Sequence, residues 1–230
     1  MTAALWCVVP AAGRGTRVGG DCPKQYLPLA GRTLIEHTLE RLAAHPQIAG
    51  LLVTLGASDA YWPGMESLNG KPILTATGGA ERSDSVLSGL RALPESVDEH
   101  DFVLVHDAAR PCVRLADIDR LIEQAGAKDG GLLGAPLRDT LKYADESGCS
   151  MKTEPRERRW RAFTPQMFRR GPLSMALREV SRIGVNVSDE AMAMELAGHS
   201  ALLVEGAEDN IKVTTAADFA LAEFLLTRTV

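Results

Sequence analysis

The stretch with the clearest chemistry is a glycine-rich turn followed by cations. Pro10-Ala11-Ala12-Gly13-Arg14-Gly15-Thr16-Arg17 directly follows the apolar run Leu5–Val9, and Cys22-Pro23-Lys24-Gln25 comes shortly after. Small residues let backbone N–H groups approach phosphate oxygens closely, and their permissive φ angles aim those donors inward. Arg17 and Lys24 would then set two positive charges against a triphosphate. Read locally, both are equally well described as solvated loop cations. The turn is not a dinucleotide fingerprint, because Gly13, Gly15 and Gly19 fall one step out of register with G-x-G-x-x-G. The acid at about the expected distance, Glu36, lies inside a helical pattern. The G-x-x-x-x-G-K-[ST] phosphate loop does not occur either.

A second candidate is Asp107, immediately beyond the apolar run Phe102–Val105. A carboxylate at the carboxyl end of a strand suits Mg²⁺, which takes one or two carboxylates together with phosphate and water oxygens. Capping the next helix, or pairing with Arg110, is the simpler use of the same side chain. His106 has the look of a base but reads better as a buried structural histidine. Gly78-Gly79 marks a turn before a helix. Cys7, Cys22, Cys112 and Cys149 are scattered, without a CxxC pair or other ligand-like spacing, so structural zinc is not expected.

Runs rich in Val, Leu and Ile predict the elements that must hold these residues. Strands are expected at Leu5–Val9, Gly50–Leu55, Pro72–Ala76, Phe102–Val105 and Gly131–Ala135. Between them, Leu34, Ile35, Thr38, Leu39, Leu42 and Ala43 share one helical face. Val86, Leu87, Leu90 and Leu93 mark a second helix, and Leu115, Ile118, Leu121 and Ile122 a third. Further helices are expected near 171–182 and 189–197. A last one is capped by Thr215-x-x-Asp218 and carries Phe219, Ala222 and Leu226 on one face. Such alternation predicts a Rossmann-like α/β fold: a mainly parallel twisted sheet with helices on both faces. One nucleotide-handling domain is expected over 1–230. The segment from about 138 to 165 breaks the alternation. It is polar and too long for an ordinary connection, and it reads as a protruding β-arm.

Composition removes several classes. The 230 residues are 45% hydrophobic and 24% charged, as in ordinary globular chains. A formal net charge of −5 argues against a general nucleic-acid binder. No run reaches the roughly 18 apolar residues that a membrane span needs, and the N-terminus lacks the pattern of a signal peptide. A cytoplasmic protein is the expectation.

Taken together and in order, the blocks carry a resemblance. They are Pro10–Arg17, Cys22–Tyr26, Gly78–Val86, Val105–Pro111, Arg138-Asp139-Thr140, Thr164-Pro165-Gln166, Ser188-Asp189-Glu190 and Asp209–Thr214. The chain resembles the nucleotidyltransferases that make activated sugar and polyol nucleotides, most closely the 2-C-methyl-D-erythritol 4-phosphate cytidylyltransferase family. The resemblance implies that CTP and 2-C-methyl-D-erythritol 4-phosphate are joined with release of pyrophosphate, by in-line attack of the substrate phosphate on the CTP α-phosphorus with Mg²⁺ present. It implies Arg17, Lys24, Arg156 and Lys212 as the catalytic cations. Pro10, Ala11, Ala12, Gly13, Gly15, Lys24, Gly79, Ala80 and Ser85 would bind the nucleotide, and Asp107 the metal. Asp107, Arg110, Thr140, Arg156, Thr164, Ser188 and Lys212 would take the second substrate. Ala80 stands where the family often has an acid, and Ser188 where a threonine is common. Near Trp160 the alignment leaves Arg158 and Arg159 as alternatives to Arg156. The arm is implied to embrace a second subunit, giving a homodimer with composite sites. Two rival readings are a cytidylyltransferase for another polyol phosphate, such as ribitol 5-phosphate, and a non-catalytic nucleotide-binding module.

Overall fold

The computed structural model describes residues 5–13 and 22–228. The first half contains β1 (Leu5–Pro10), a short 3-10 turn (Lys24–Tyr26), a small hairpin of β2 (Pro28–Leu29) and β3 (Arg32–Thr33), α1 (Leu34–Ala44), β4 (Ile48–Leu55), β5 (Ser67–Leu68), β6 (Lys71–Thr77) and α2 (Arg82–Arg91). The second half contains β7 (Phe102–Val105), α3 (Leu115–Ala125), β8 (Gly130–Pro136), β9 (Leu141–Ala144), β10 (Ser150–Glu154), β11 (Trp160–Arg169), α4 (Arg170–Arg182), α5 (Glu190–Leu196), β12 (Leu202–Glu205) and α6 (Ala216–Thr227).

Eight strands form one sheet in the order β12-β8-β11-β7-β1-β4-β6-β5. β1 pairs in parallel with both β4 and β7, β4 with β6, and β8 with β12. β11 runs antiparallel between β7 and β8, and β5 antiparallel on β6. The expected α/β sheet is therefore present, as a mixed sheet that is mostly parallel.

Alternation along the strands divides the core. Cys7 and Val9 of β1 face a layer built from Ile35, Leu39 and Leu42 of α1 and Ile118 and Leu121 of α3. Trp6 and Val8 face Val86 and Leu90 of α2 and Leu173, Leu177 and Val180 of α4. Both faces are covered, which is why the central strands read as unbroken apolar runs.

The predicted cap of α6 forms as expected. The Thr215 hydroxyl accepts from the Asp218 N–H, and the Asp218 carboxylate returns to the Thr215 backbone. Thr33 and Glu36 cap α1 in the same reciprocal way.

One boundary needs correction. The projecting hairpin is β9 with β10, spanning Leu141–Glu154, whereas Trp160–Pro165 belongs to β11 inside the main sheet. The segment read as an arm over 138–165 is thus partly core. Pro165 and the buried polar side chains Thr164 and Gln166 disguise that strand. The ladder to β8 shifts register between Ala162 and Gln166, the kind of irregularity at which a sheet tolerates proline.

The sheet and α2 meet at one unusually close point. A Cβ on Gly89 would stand 2.6 Å from Val8 Cγ1 and 3.1 Å from both Leu52 Cδ2 and Thr54 Cγ2. Alanine would gain up to about 1 kcal/mol of helix propensity, but overpacking against stiff β-branched neighbours costs about 1–3 kcal/mol. Gly89→Ala is expected to lower the midpoint of equilibrium urea unfolding. A midpoint equal to or above the parent's would mean that α2 is not seated this tightly.

Candidate active site

In the sheet order, β4 and β6 lie to one side of β1 and β7 to the other. The chain crosses over β1 between β6 and β7, carrying α2 on the way. Such a reversal opens a crevice at the carboxyl ends of the strands. Here those ends are Pro10 on β1 and the His106-Asp107 step beyond β7.

A cavity of about 330 Å³ fills this crevice. Its floor is backbone and small side chains: Pro10, Ala11, Ala12 and Gly13 beyond β1, with Gly79 and Ala80 before α2. Glycine is required at the junction, since a Cβ on Gly78 would sit 2.5 Å from the Ala12 methyl carbon. The Gly79 N–H donates to the Ser85 hydroxyl at 3.1 Å, and that hydroxyl donates to the Glu81 carbonyl at 3.1 Å. Ser85 is thus engaged in shaping the turn. Buried Gln25 donates to the Ala11 carbonyl at 2.7 Å and fixes the other side of the floor.

Charge enters from the walls. Lys24 lines the cavity and donates to the Val213 carbonyl at 2.8 Å. Lys212 pairs with Asp107 at 2.9 Å. Asp107 is buried and also accepts from Arg82 Nε at 2.9 Å, with Arg110 Nε 3.5 Å away. Burial alone would oppose ionisation of Asp107, but Arg82, Lys212 and Arg110 outweigh it and hold the carboxyl well below the usual range. Burial likewise disfavours the Arg82 charge, yet Glu190 and Asp107 more than compensate and push its pKa up.

A second cavity of about 170 Å³ adjoins the first and shares Arg82, Asp107 and Lys212 with it. Arg110, Phe163, Thr164, Ser188 and Asp189 also line it. Arg110 is braced by the Asn210 carbonyl at 2.6 Å and lies 5.2 Å from the Phe163 ring centre.

His106 is fully buried. Its Nε2 meets the Arg110 carbonyl at 3.0 Å and must donate to it, so Nδ1 of the neutral ring accepts from the Thr164 hydroxyl at 3.1 Å. The Thr164 oxygen in turn accepts from the Asp107 N–H at 3.0 Å. Both ring nitrogens are committed, which bears out the structural reading of this histidine. Thr164 lines the smaller cavity, but its proton is directed at His106.

Most of the expected site residues therefore converge: Pro10 to Gly13, Lys24, Gly79, Ala80, Ser85 and Asp107 around the larger cavity, and Arg110, Thr164, Ser188 and Lys212 at or beside the smaller. Thr140 and Arg156 do not. Both are exposed at the base of the β9–β10 hairpin, where Arg156 bonds the Arg138 carbonyl, and neither lines either of these two cavities. Arg159 lies on the same projection, 3.7 Å from Glu154. Gly15 and Arg17 fall outside the described residues. Arg82 and Glu190 were not anticipated as site residues, although both lie inside quoted blocks. Their partnership spans 108 positions and leaves no local signal. Asp209 pairs with Arg114.

A metal would find an incomplete protein shell. Among the described residues no group of three or more His, Cys, Asp or Glu is placed to hold one. Asp107 and Glu81 are the carboxylates lining the larger cavity. The Asp107 carboxylate has about four lone-pair sites and cation partners on both oxygens. That set would suit a divalent cation completed by phosphate and water oxygens, not one caged by side chains.

The family model for 2-C-methyl-D-erythritol 4-phosphate cytidylyltransferase matches residues 5–228. A protein of that name from Xanthomonas axonopodis pv. citri (strain 306) is 60% identical over 227 residues, covering 98% of this chain and 85% of the relative. Another, from Stenotrophomonas maltophilia (strain K279a), is 58% identical over 230 residues and covers 99% of each chain. Among solved structures, a 4-diphosphocytidyl-2C-methyl-D-erythritol synthase aligns with a TM-score of 0.84 at 33% identity, covering 98% of this chain and 100% of that one. The Francisella tularensis 2-C-methyl-D-erythritol 4-phosphate cytidylyltransferase aligns with a TM-score of 0.83 at 32% identity, covering 97% and 100%.

The neutral His106 makes a pH prediction. Burial lowers its pKa from 6.5 to about 4, against the opposing pull of the Arg110 carbonyl. Between those values the unfolded chain binds the proton and the folded one does not, so stability must fall as the pH drops through this window. The expected loss is about 3 kcal/mol. Urea unfolding at a series of pH values should show it, and His106→Gln should flatten the slope. An equal slope in parent and variant would contradict the neutral assignment.

Proposed function

The chain belongs to the 2-C-methyl-D-erythritol 4-phosphate cytidylyltransferase family, and we propose that its two adjoining cavities divide the substrates, CTP in the larger and the polyol phosphate in the smaller. The reaction joins CTP and 2-C-methyl-D-erythritol 4-phosphate to give 4-diphosphocytidyl-2-C-methyl-D-erythritol and pyrophosphate. The observation that carries the division is the shared wall: Arg82, Asp107 and Lys212 line both cavities, so a phosphate in one would face a phosphate in the other across common charges.

The chemistry asks little covalent help from the protein. A phosphate monoester has a second pKa near 6, so at neutral pH it is mostly the dianion and already a nucleophile. Its oxygen forms a bond to the CTP α-phosphorus in line with the bond that breaks to the leaving pyrophosphate. No base has to remove a proton, in keeping with the buried and committed His106. The barrier lies in bringing anions together and in the charge that moves onto pyrophosphate, so positioning and electrostatics supply the catalysis. The small-residue floor lets the nucleotide approach backbone donors. Lys24 supplies charge beside the triphosphate, and Arg17 is assigned the same role. Lys212 rests on Asp107 and can turn its ammonium to the incoming phosphate. Mg²⁺ would be held by Asp107 with substrate oxygens, and it supplies charge neutralisation on the phosphates.

Thr140 and Arg156 complete the second-substrate site from another subunit. The support is twofold: they line neither cavity of their own chain, and the hairpin carrying them exposes Tyr143 and Met151 at 57% and 63%. The protein is thus assigned as a homodimer, each chain one nucleotidyltransferase domain with an inserted arm, working in the cytoplasm. Among the described residues no helix is long and apolar enough to cross a membrane.

Pyrophosphate release should require CTP, 2-C-methyl-D-erythritol 4-phosphate and a divalent cation, and should stop on chelation. Ribitol 5-phosphate and the other nucleoside triphosphates should be poor replacements. Absence of turnover with every pair, in folded protein, would overturn the assignment. Lys24→Ala and Lys212→Ala should each lower kcat/KM by about 10²–10³-fold, the usual loss for one preorganised charge. Co-refolding Lys24→Ala with Arg156→Ala should restore activity that neither variant has alone, since hybrid dimers hold one intact composite site. No restoration would refute the sharing of sites.

A further inference from the structure

We propose that Arg82 and Glu190 form a brace that sets the width of the smaller cavity and so selects which polyol phosphate it accepts. This rests on the assignment of the polyol phosphate to that cavity.

Arg82 opens α2 and Glu190 opens α5, two elements that meet at the crevice. Arg82 Nη1 and Nη2 donate to the two Glu190 carboxylate oxygens at 2.5 and 3.1 Å, while its Nε donates to Asp107 at 2.9 Å. One guanidinium therefore joins two carboxylates. Only its planar fork can do so, because a lysine ammonium is a single point charge. The two carboxylates belong to different walls. Asp107 stands with Arg110 and Thr164 on the side of the sheet, whereas Glu190 directly follows Ser188 and Asp189, which line the cavity from the turn before α5.

The far side of that turn is pinned as well. Asp189 accepts from Gln166 Nε2 at 2.9 Å, and Gln166 Oε1 accepts from the Ala191 N–H at 2.8 Å. The Ser188 turn is thereby held by β11 through Gln166 and by α2 through Arg82.

Glu190 has no exposure. A buried carboxylate is unfavourable unless paired, and a well-packed apolar residue would serve stability as well or better. What an apolar residue could not do is hold Arg82 at a fixed distance from the Ser188 turn. The ion pair therefore makes sense as a positioning device.

The test is steady-state kinetics on the full-length enzyme with Glu190→Gln, Arg82→Lys and the double variant. CTP and 2-C-methyl-D-erythritol 4-phosphate are varied in turn. Ribitol 5-phosphate is run as a substrate or, if it is not turned over, as a competitive inhibitor. Each single variant should raise KM for 2-C-methyl-D-erythritol 4-phosphate by about tenfold or more and narrow its preference over ribitol 5-phosphate by a similar factor, the range expected for small changes in pocket shape. For Glu190→Gln, whose residue lines neither cavity, KM for CTP should stay within about twofold. The double variant should be no worse than the poorer single one, because both cut the same bridge.

Circular dichroism and thermal melting confirm that each variant is folded. Should Glu190→Gln fail to fold, Glu190→Asp keeps the charge, draws the turn inward by one methylene, and is expected to shift the same preference. Folded variants with unchanged selectivity, or with only kcat reduced equally for both polyol phosphates, would overturn the brace. A rise in KM for CTP alone in Glu190→Gln would instead overturn the assignment of the cavities.

Discussion

The buried carboxylate of Asp107 is the constraint on which the rest of the site depends. It stands at the carboxyl end of β7, beside the central strand, and it cannot be left unpaired there without a large desolvation penalty. Its compensation comes from three separate parts of the chain: Arg82 before α2, Arg110 three residues on, and Lys212 near the C-terminal helix. Each cation must be delivered by its own element. Arg82 brings α2 and, through Glu190, α5. Lys212 brings the 209–213 segment, whose Val213 N–H bonds the Ala109 carbonyl at 2.8 Å. One charge thus ties α2, α5 and the C-terminal segment to the end of β7.

The surrounding hydrogen bonds make that fixation stiff. Thr164 ties the Asp107 backbone to β11, His106 ties Thr164 to Arg110, and Asn210 ties Arg110 back to the Thr164 carbonyl. These groups are buried and, apart from Arg110 Nε and Asn210 Oδ1, satisfied within the protein. Their polarity therefore defines a shape and does not supply reactive groups. The residues left to meet phosphate are lysines with exposed or half-exposed stems, whose ammonium groups can change partners with little rearrangement of the backbone.

Much of this was legible in the sequence, and the boundary is physical. Strands buried on both faces betray themselves as apolar runs, so β1, β4, β7 and β8 could be placed from their unbroken apolar sequence, and the mostly exposed β6 from its Ile73-Leu74 pair. Helices with one buried face, and the Thr215–Asp218 cap, carry local periodic or paired signals. β11 lacked them. Its buried Thr164 and Gln166 are polar because they bond to His106 and Asp189, so by composition the strand passes for loop. Lys24 and Asp107 were legible as charges beside a loop and a strand end, whereas Lys212 came only through the family resemblance. Glu190 was not, since the meaning of an acid that opens a short helix depends on an arginine 108 positions away. Thr140 and Arg156 line neither cavity of their own chain, and the polar sequence around them carries no local signal of a site.

The chain as a whole carries −5, and at the two cavities Lys24, Arg82, Arg110 and Lys212 stand among Glu81, Asp107, Asp189 and Glu190, so that cations and carboxylates balance there. Within that balance Asp107 is distinguished by having three cation partners of its own. Three cations on one buried carboxylate are more than its single charge requires. With Lys212 removed, Arg82 and Arg110 would remain to keep Asp107 ionised and in place, a redundancy that a single ion pair at this position could not provide.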